Sequence, residues 1–449
     1  MPPRLLWRLF PHAARASRWL EQRFTAGGRL LLGVLVSGAI LGIDIRQTLA
    51  YQLAALAFAL LVSSLALSTR WRAQLTVRRV LPPMVTADLA THYWLEITNH
   101  GRDTQSELLV QDMLDDPPLS RVRFKSWRDS HRAVAHNWFD RAVGFPLWLA
   151  VRRWQHGAVL ALTPIAPIAP GATVRVKIEL TALRRGWLRF VGLRVLRPEP
   201  LGLCRARLNL VLVEQLLALP RRHRVPTITL QSARRYQPGG VSLALAVGDA
   251  QEFAALRDYQ PGDPRRHIHW RSVAKTGALI VKQYQDEYFA RHALVVDTRL
   301  ADTPACCEAV IEVAASIASG RQPQDAILDL IIVGTDVVEL AAGRGLGSDL
   351  RALTYLATTP AHAHHDFAPV AALLRARLGH LASVIMVCGR DDPARNALLA
   401  ELRNHQVPTL CLQVVDEQQS APPTHGEHAP TRLRIDHLAA DLACVGGAP

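Results

Sequence analysis

The sequence EFAALRDYQPGDPRRHIHWR, residues 252–271, lies where a pattern of short β-strands gives way to alternating strands and helices. It crowds acids, arginines and aromatic rings in a way that neither an amphipathic helix nor an alternating strand shows. Pro261 and Gly262 predict a tight turn, because proline presets φ and glycine adopts backbone angles that other residues avoid. The sequence therefore predicts a charged strap or docking site without a nucleophile–base pair. We call residues 246–290 the strap.

The charged residues of the strap can pair across its turn. We expect Arg257, Asp263 and Arg266 to form charge-assisted hydrogen bonds that fix the turn, with Tyr259 and Trp270 packed beneath it. Two roles are open: the strap joins its flanking domains, or it docks a partner. The candidate residues for either role are Glu252, Arg257, Tyr259, Gly262, Asp263, Arg266 and Trp270.

The region before the strap, residues 72–245, has the pattern of short strands. Residues 93–98 and 174–180 alternate between apolar and polar side chains. Several short strands at this spacing predict a β-sandwich domain. Residues 117–160, rich in arginine, histidine and tryptophan, interrupt the pattern. We expect an insertion that forms an irregular surface excursion with partly buried tryptophans, and a binding site is the alternative.

The region after the strap, residues 291–415, alternates short apolar runs with amphipathic helices. Residues 292–297 and 327–333 have the pattern of buried strands, and residues 305–319 that of a helix with one apolar side. This order predicts an α/β domain with a mostly parallel, doubly wound sheet. Residues 416–449, rich in proline, alanine, histidine and glutamine, are expected to be disordered.

The positive charge of the chain is concentrated at its N-terminus. Of the net charge of +14, residues 1–80 carry +9, from eleven arginines and two acids, so the charge does not indicate nucleic-acid binding. Two apolar runs among these arginines, Leu30–Ile43 and Leu49–Leu67, predict a transmembrane helical hairpin over residues 29–70. The flanking arginines place both termini, including the basic segment 1–28, in the cytoplasm. A signal peptide is the alternative, but no clear cleavage site separates the two runs.

The six cysteines show neither Cys-x-x-Cys spacing nor the density of a disulfide-linked domain. Cys388 and Cys411 lie in apolar runs, as buried small hydrophobic residues do. This usage agrees with a reducing cytoplasm.

The strap resembles the signature of the family catalogued as domain of unknown function 58, the YeaD-like proteins. The family pattern is roughly E-F-x-x-L-R-x-Y-x-x-G-D-x-x-R-x-I-x-W-+-x-x-A-+-x-G-x-L. It is matched at Glu252, Phe253, Leu256, Arg257, Tyr259, Gly262, Asp263, Arg266, Ile268, Trp270, Ala274, Lys275, Gly277 and Leu279. The resemblance extends from the hairpin through residues 184–187 and 198–203 to about residue 415. At the second of these sites the family usually shows D-P-F-G-L, from which Glu199 and Leu201 depart.

The resemblance implies that residues 291–415 form a von Willebrand factor type A-like domain. Such domains often hold Mg²⁺ at the end of the first strand through Asp-x-Ser-x-Ser, because a hard cation needs several small oxygen ligands. Asp297 matches the first position, but Arg299 brings a positive charge and Ala301 brings no ligand. Asp391 and Asp392 could supply a further carboxylate. We nevertheless expect a degenerate site without a bound metal, and no other cofactor.

Two further motifs resemble ligand-binding sites, but a plain loop is the expected structure of each. Residues 343–347 contain three glycines before a helix, but they lack the spacing of a phosphate-binding loop, so we expect a flexible loop. His362, His364 and His365 lie between prolines and are expected to be solvated in a loop rather than to bind a transition metal. The sequence contains no hydrolase, zinc-protease or Walker motif.

These patterns together predict a membrane-anchored scaffold or adaptor that faces the cytoplasm from the bacterial inner membrane. The family resemblance implies that it works with a MoxR-type AAA+ ATPase, and we expect no catalytic activity of its own. The alternatives are a metal-dependent hydrolase, with its site at Asp297 or at the histidine loop, and an envelope-associated structural protein. The lipid bilayer is the second expected partner, and the sequence does not define an oligomeric state.

Overall fold

The protein is described by a computed structural model, which covers residues 4–41, 48–121, 124–125, 144–226, 228, 236–238, 252–263, 265–285, 288–298, 304–320, 326–333, 338–342, 346–360, 367–379, 381–416 and 429–445. The chain is a multidomain α/β protein with two compact units, residues 1–221 and 222–449. The boundary between the units thus precedes residue 245, the limit predicted for the β-sandwich domain.

The first unit begins with three helices, α1 (Arg4–Arg23), α2 (Ala26–Leu41) and α3 (Thr48–Arg70). Helices α2 and α3 pack closely, since a Cβ atom on Gly38 would lie 3.0 Å from the Cβ of Ala54. Among the described residues, Leu49–Arg70 is long and apolar enough to cross a membrane, whereas the apolar part of α2 is shorter. The structure therefore contains one candidate membrane-spanning helix beside a second, shorter apolar helix.

Two sheets follow these helices. Their strands are β1 (Leu75–Val80), β2 (Met84–Thr86), β3 (Ala90–Asn99), β4 (Leu109–Leu114), β5 (Ala158–Leu160), β6 (Thr163–Pro164), β7 (Thr173–Ala182), β8 (Gly186–Pro198) and β9 (Arg205–Leu219). One sheet has the order β1-β3-β7-β5 and the other β2-β9-β8-β4-β6. Neighbouring strands are antiparallel except for β2 and β9, which are parallel.

The two sheets of the first unit contribute to a common hydrophobic core. Strand β3 supplies Tyr93 and Leu95, β7 supplies Ile178, and β8 supplies Phe190 and Val195. Buried and more exposed residues alternate along β3 and β7, as the sequence pattern predicted, because successive side chains of a strand point to opposite faces.

The segment predicted to be an irregular insertion contains a helix in its described part, α4 (Phe145–His156). Trp148 is almost completely buried there, packed with Phe124 of the same segment and with Phe10 of α1. Gly144 and Gly157 adopt the left-handed conformation at the two ends of this helix, and Gly157 terminates it. Most of the arginine- and tryptophan-rich part before α4 lies outside the described residues.

The second unit contains a sheet with the order β15-β14-β13-β16-β17-β18. Its elements, with those of the strap, are β10 (Tyr236–Pro238), β11 (Glu252–Asp258), α5 (Trp270–Thr276), β12 (Ile280–Gln285), β13 (Tyr288–Asp297), α6 (Pro304–Ala318), β14 (Ala326–Val333), β15 (Val338–Ala342), α7 (Leu346–Thr358), α8 (Ala368–Ala376), β16 (Ser383–Cys388), α9 (Pro393–Asn404), β17 (Thr409–Val415), β18 (Thr431–Arg434) and α10 (Leu438–Cys444). In this sheet, β15 is antiparallel to β14 and β10 is antiparallel to β13, whereas the remaining neighbours are parallel.

Helices cover both faces of this sheet. Ala293 and Val295 of β13 belong to a core cluster that α8 and α9 complete. Leu294 and Val296, which alternate with them, point to the opposite face. Helix α6 packs against β13, β16 and β17 there. This arrangement is the doubly wound α/β topology that the alternating sequence pattern predicted.

The C-terminal segment differs from the expected disorder in its described part. Residues 431–434 form β18, which adds a parallel strand beside β17, and α10 follows. Leu433 and Leu442 are fully buried, and Arg434 pairs with Asp441. The prediction rested on the average composition of residues 416–449, which hides a short run with buried leucines.

Candidate functional site

The turn of the strap has the hydrogen bonding that its sequence predicts. Strands β11 and β12 form an antiparallel pair, and the amide of Asp263 donates to the carbonyl oxygen of Gln260 at 3.0 Å. Pro261 and Gly262 occupy the two central positions, and Gly262 has a φ of 111°. A positive φ at the third residue of the turn, directly after proline, is characteristic of a type II turn, and glycine adopts it without steric cost.

The carboxylate of Asp263 holds this turn in place. Arg257 donates to both carboxylate oxygens, from Nη2 to Oδ1 at 2.7 Å and from Nη1 to Oδ2 at 2.8 Å. The amide of Gln260 donates to Oδ2 at 2.9 Å. The hydrogen bond from Arg257, followed by that from Gln260, lowers the pKa of Asp263. The expected Arg257–Asp263 pairing is therefore present, and it locks a surface turn.

Arg266 and Trp270 are placed differently from the expectation. Arg266 is exposed, and its Nε lies 3.2 Å from Nε2 of His267 rather than near Asp263. The side chain of Trp270 is 65% exposed. Ile268 is buried instead and forms a bridge to Val281 of β12. Only one side of this short segment can face the hairpin, and the apolar Ile268 occupies it, so Trp270 at the start of α5 turns outward.

Tyr259 and Glu252, the remaining strap candidates, take part in the β11–β12 hairpin. Tyr259 is half-buried, and its amide donates to the carbonyl oxygen of Leu279 at 2.9 Å, which closes the hairpin. Glu252 begins β11 opposite Gln285, and its side chain lies outside the described part of the structure. The strap thus presents an ordered turn flanked by an exposed arginine and an exposed tryptophan.

The second candidate site lies at the carboxyl ends of β13 and β16. The chain order reverses between these two strands, which is where open α/β sheets form their binding crevice. Asp297 ends β13 and is buried, and Thr298 donates from Oγ1 to the carbonyl oxygen of Val333 at 2.6 Å. Arg299 and Ala301 lie outside the described residues.

The described side chains at this sheet edge do not fit a Mg²⁺ site. Asp391 accepts hydrogen bonds from Arg395 at 2.9 Å and from Asn396 at 2.7 Å, and Asp392 caps α9 by accepting from the amide of Ala394 at 2.8 Å. The buried guanidinium of Arg395 would repel a divalent cation. Among the described residues, no group of three or more His, Cys, Asp or Glu side chains could hold a metal ion.

The other sequence candidates give no site in the described structure. His362, His364 and His365 lie outside the described residues, as does most of the glycine-rich loop before α7. All six cysteines are described, none of them forms a disulfide, and five are buried whereas Cys444 is exposed. A hydrogen bond with Cys411, together with burial, raises the pKa of the Cys388 thiol, so this group is not a reactive thiolate.

The sequence patterns did not predict the role of Glu199 in the turn between β8 and β9. Glu199 accepts hydrogen bonds from the amides of Leu201 at 2.6 Å and Leu203 at 2.8 Å, and from Ser64 Oγ of α3 at 2.9 Å. Burial alone would raise the pKa of Glu199, but these donors, with the amide of Cys204, outweigh it and lower the pKa. The carboxylate thereby ties the turn to the apolar helix. Ser64, a hydroxyl within an apolar helix, was the available sequence signal.

Comparison with known proteins gives a match that includes most of the strap. The family model described as "Protein of unknown function DUF58" matches residues 255–432. A curated relative, "Uncharacterized protein YeaD" of Bacillus subtilis (strain 168), is 27% identical over 147 residues, which are 32% of this chain and 35% of the relative. The match thus spans about a third of the relative's length. The predicted resemblance to the DUF58, YeaD-like family is therefore confirmed over residues 255–432.

A solved structure was also matched, that of the GH20 exo-β-N-acetylglucosaminidase from Vibrio harveyi in complex with N-acetylglucosamine. The alignment covers 77% of this chain and 57% of that chain, at 9% identity and with a TM-score of 0.17. A TM-score this low establishes neither a common fold nor a common activity.

Proposed function

We propose that the protein is a membrane-anchored scaffold or adaptor that faces the cytoplasm and recruits a MoxR-type AAA+ ATPase through the strap. The observation that carries the proposal is the exposure of Arg266 and Trp270 on a turn whose own geometry is already fixed. A strap that served only to join two domains would bury these side chains against its neighbours. Here the Arg257–Asp263 pair orders the turn and leaves them accessible.

The chemistry of the exposed side chains supports docking. Tryptophan and arginine are the residue types most enriched among the energetic hot spots of protein interfaces. A turn that is ordered before binding avoids part of the entropy cost of association. An exposed tryptophan beside an arginine on a hydrogen-bonded turn therefore suits the recognition of a protein partner better than catalysis.

The architecture supports the finer assignment of the two units. We propose that the two sheets around one core form a β-sandwich in the first unit. For the second unit, we propose a von Willebrand factor type A-like domain, supported by its doubly wound sheet with an antiparallel edge strand, β15. The hydrogen bonds that already engage Asp391 and Asp392 at the sheet edge favour a recruiting surface over a metal-dependent hydrolase.

The apolar helices support the anchoring. Only 17% of the most apolar part of α3 is buried, unlike the core helix of a globular domain. We propose that α2 and α3 together form a transmembrane hairpin in the bacterial inner membrane, and that the arginines on its outer flanks keep both termini in the cytoplasm.

The docking proposal is tested by purifying the tagged full chain from its native membranes. We expect a MoxR-type AAA+ ATPase, identified by mass spectrometry, to co-purify with the wild type. Trp270→Ala and Arg266→Lys should each lower its recovery by about tenfold, which is the effect of losing roughly 1.4 kcal/mol at an interface hot spot. Arg266→Lys is informative because it keeps the charge and removes the planar, bidentate donor.

Matched controls separate docking from folding. Arg265→Lys changes the neighbouring exposed arginine, and Tyr355→Ala removes an exposed aromatic ring from α7 of the same unit. Both variants should recover the ATPase as the wild type does, and all four should keep the wild-type melting temperature. Equal ATPase recovery from all of the variants, or no such ATPase with the wild type, would overturn the proposal.

A further inference from the structure

Six arginines gather where the apolar helices meet the β8–β9 edge of the first unit. Helix α1 ends beside this edge, since Phe24 forms an antiparallel bridge with Cys204, and the amide of Thr25 donates to the carbonyl oxygen of Leu203 at 3.0 Å. The members of this arginine cluster are Arg18, Arg23, Arg29, Arg194, Arg205 and Arg207.

Neutral acceptors hold the inner members of the arginine cluster together. Arg23 donates from Nη1 to the carbonyl oxygen of Arg205 at 3.1 Å and from Nη2 to Ser68 Oγ of α3 at 2.9 Å. Arg205 in turn donates from Nη1 to the carbonyl oxygen of Glu21 at 3.0 Å. These bonds fix the positions of two guanidinium groups without neutralising their charge.

The arginine cluster is short of negative charge. Within the described structure, Arg18 alone of the six forms an ion pair, with Asp116 at 3.1 Å. That carboxylate is shared with Arg152 and His156 of α4. The Nε–H group of Arg205 is buried and has no hydrogen-bond acceptor among the described residues. An anion would supply both the missing charge and the missing acceptor.

Burial and the neighbouring positive charges lower pKa values within the arginine cluster. Burial, and then the charge of Arg207, lower the pKa of Arg23 and of Arg194. Burial, and then the charge of Arg29, lower the pKa of Arg205. Each shift includes the charge of a neighbouring arginine, in agreement with the grouping of these side chains at one edge.

The position of the arginine cluster indicates where this ligand comes from. Arg29 lies in the first turn of α2, and Ser68, the partner of Arg23, lies in the last turn of α3. These helix ends are at the same end of the apolar pair, where the phosphate groups of a bilayer would be. Trp19 and Leu201, each 46% exposed, flank the cluster with apolar surface suited to the membrane interface.

We propose that the arginine cluster binds the phosphate of an anionic phospholipid headgroup at the cytoplasmic surface of the membrane, an inference that rests on the membrane anchoring proposed above. Guanidinium groups donate two parallel hydrogen bonds to phosphate oxygens, so two or three of them can enclose one headgroup. A bound phosphate also offsets the repulsion among the arginines. The lipid would then fix the depth and orientation of the first unit at the membrane surface.

The test uses the full chain in nanodiscs of phosphatidylcholine alone or with phosphatidylglycerol. Phosphatidylglycerol should raise the melting temperature of the wild type by about 3 °C or more. The double variant Arg29→Gln/Arg207→Gln, which changes two exposed cluster members, should lose most of this shift. The control Arg153→Gln/Arg189→Gln removes the same charge from two exposed arginines outside the cluster and should keep the shift.

The outcomes separate this inference from the anchoring on which it rests. Failure of the chain to enter nanodiscs of either composition would overturn both. Entry with no response to phosphatidylglycerol, or an equal response from the wild type and both double variants, would overturn the lipid site alone. An equal shift produced by inorganic phosphate in phosphatidylcholine nanodiscs would show a site for free phosphate and would also overturn the lipid assignment.

Discussion

Two arginine–aspartate pairs in this protein have the same bidentate chemistry in opposite surroundings. In the first unit, Arg79 donates to Asp112 over 2.5 and 3.0 Å, and both side chains are completely buried. In the strap, Arg257 and Asp263 are joined over 2.7 and 2.8 Å, with 38% and 16% of their side chains exposed. The distances barely differ, so the surroundings must determine what each pair does.

The buried pair connects the two sheets. Arg79 belongs to β1 and Asp112 to β4, which lie in different sheets. Tyr93 of β3 also donates to Asp112, and Arg79 reaches Glu214 of β9 at 3.1 Å. Burial and then the charge of Asp112 raise the pKa of Tyr93, which keeps its hydroxyl protonated as a donor. The strap pair, by contrast, spans a single hairpin. The buried Arg79–Asp112 pair is therefore part of the core, whereas the exposed Arg257–Asp263 pair orders a surface turn.

The largest effect should follow from breaking the buried pair. Asp112→Ala leaves the Arg79 guanidinium buried without its main partner, and we expect a loss of about 3–5 kcal/mol in the free energy of unfolding of the first unit. Denaturant titration of the full chain in detergent would measure it, with Glu179→Ala on the exposed side of β7 as the control. Replacing both partners, as in Arg79→Met/Asp112→Leu, should restore much of the loss. A loss below 1 kcal/mol for Asp112→Ala would show that the network does not hold the sheets together.

The sequence could not reveal this buried network. Arg79 is one of the eleven arginines of residues 1–80 that were attributed to the flanks of a membrane hairpin, yet its side chain is completely buried. Composition assigns a charge to a region but does not show which charges a fold encloses. The strands themselves were predictable, because a period of two identifies the face of a residue. Their order within two sheets depends on long-range pairing that no local pattern encodes.

In the strap too, the sequence predicts local structure but not which side chains become buried. Pro261, Gly262 and the Arg257–Asp263 pair follow from local backbone and charge preferences, and the structure contains them. The exposure of Trp270 does not follow, because local sequence does not determine which side of a hairpin becomes covered. The strap signature predicted the DUF58 resemblance, but it left the roles of Arg266 and Trp270 open.

Glu199 is a third carboxylate, and it combines features of Asp112 and Asp263. Like Asp263 it accepts backbone amides around a turn, and like Asp112 it is buried and connects two elements. Glu199→Ala removes the acceptor of these amides and of the Ser64 hydroxyl. We expect the free energy of unfolding to fall by about 2–3 kcal/mol. Hydrogen–deuterium exchange at residues 199–204 should accelerate accordingly.

Two variants divide the role of Glu199. Ser64→Ala removes only the hydrogen bond to α3. It should lower the free energy of unfolding by about 1 kcal/mol, the usual contribution of one hydrogen bond. Glu199→Asp introduces the residue that the family usually shows at this position, and it should protect the turn amides better than Glu199→Ala does. If exchange were equally fast in the aspartate and alanine variants, the carboxylate would not be what organises the turn.

The smallest effect is expected at the strap pair. Asp263→Asn keeps the size of the side chain and removes its charge, and the pair is too exposed for the change to shift global unfolding measurably. The effect should be local, as faster hydrogen–deuterium exchange at the amide of Gln260, which donates to Asp263. Because salt screens exposed pairs, 0.5 M NaCl should narrow the difference between wild type and variant. Global destabilisation as large as that of Asp112→Ala would erase the distinction between the two pairs.

Acid should act on the strap pair only well below neutral pH. The hydrogen bond from Arg257 lowers the pKa of Asp263 from its ordinary value of 3.8. A carboxylate whose pKa is lower in the folded state stabilises the fold fully above its unfolded pKa and ceases to do so as the pH falls through the lowered value. Protection of the Gln260 amide, corrected for intrinsic exchange, should therefore be constant from pH 7 to 5 and decline only below about pH 4. In Asp263→Asn the decline should be absent. A decline already between pH 7 and 5 would show that a group other than Asp263 controls the turn, and the strap could then not be the permanently ordered surface that docking requires.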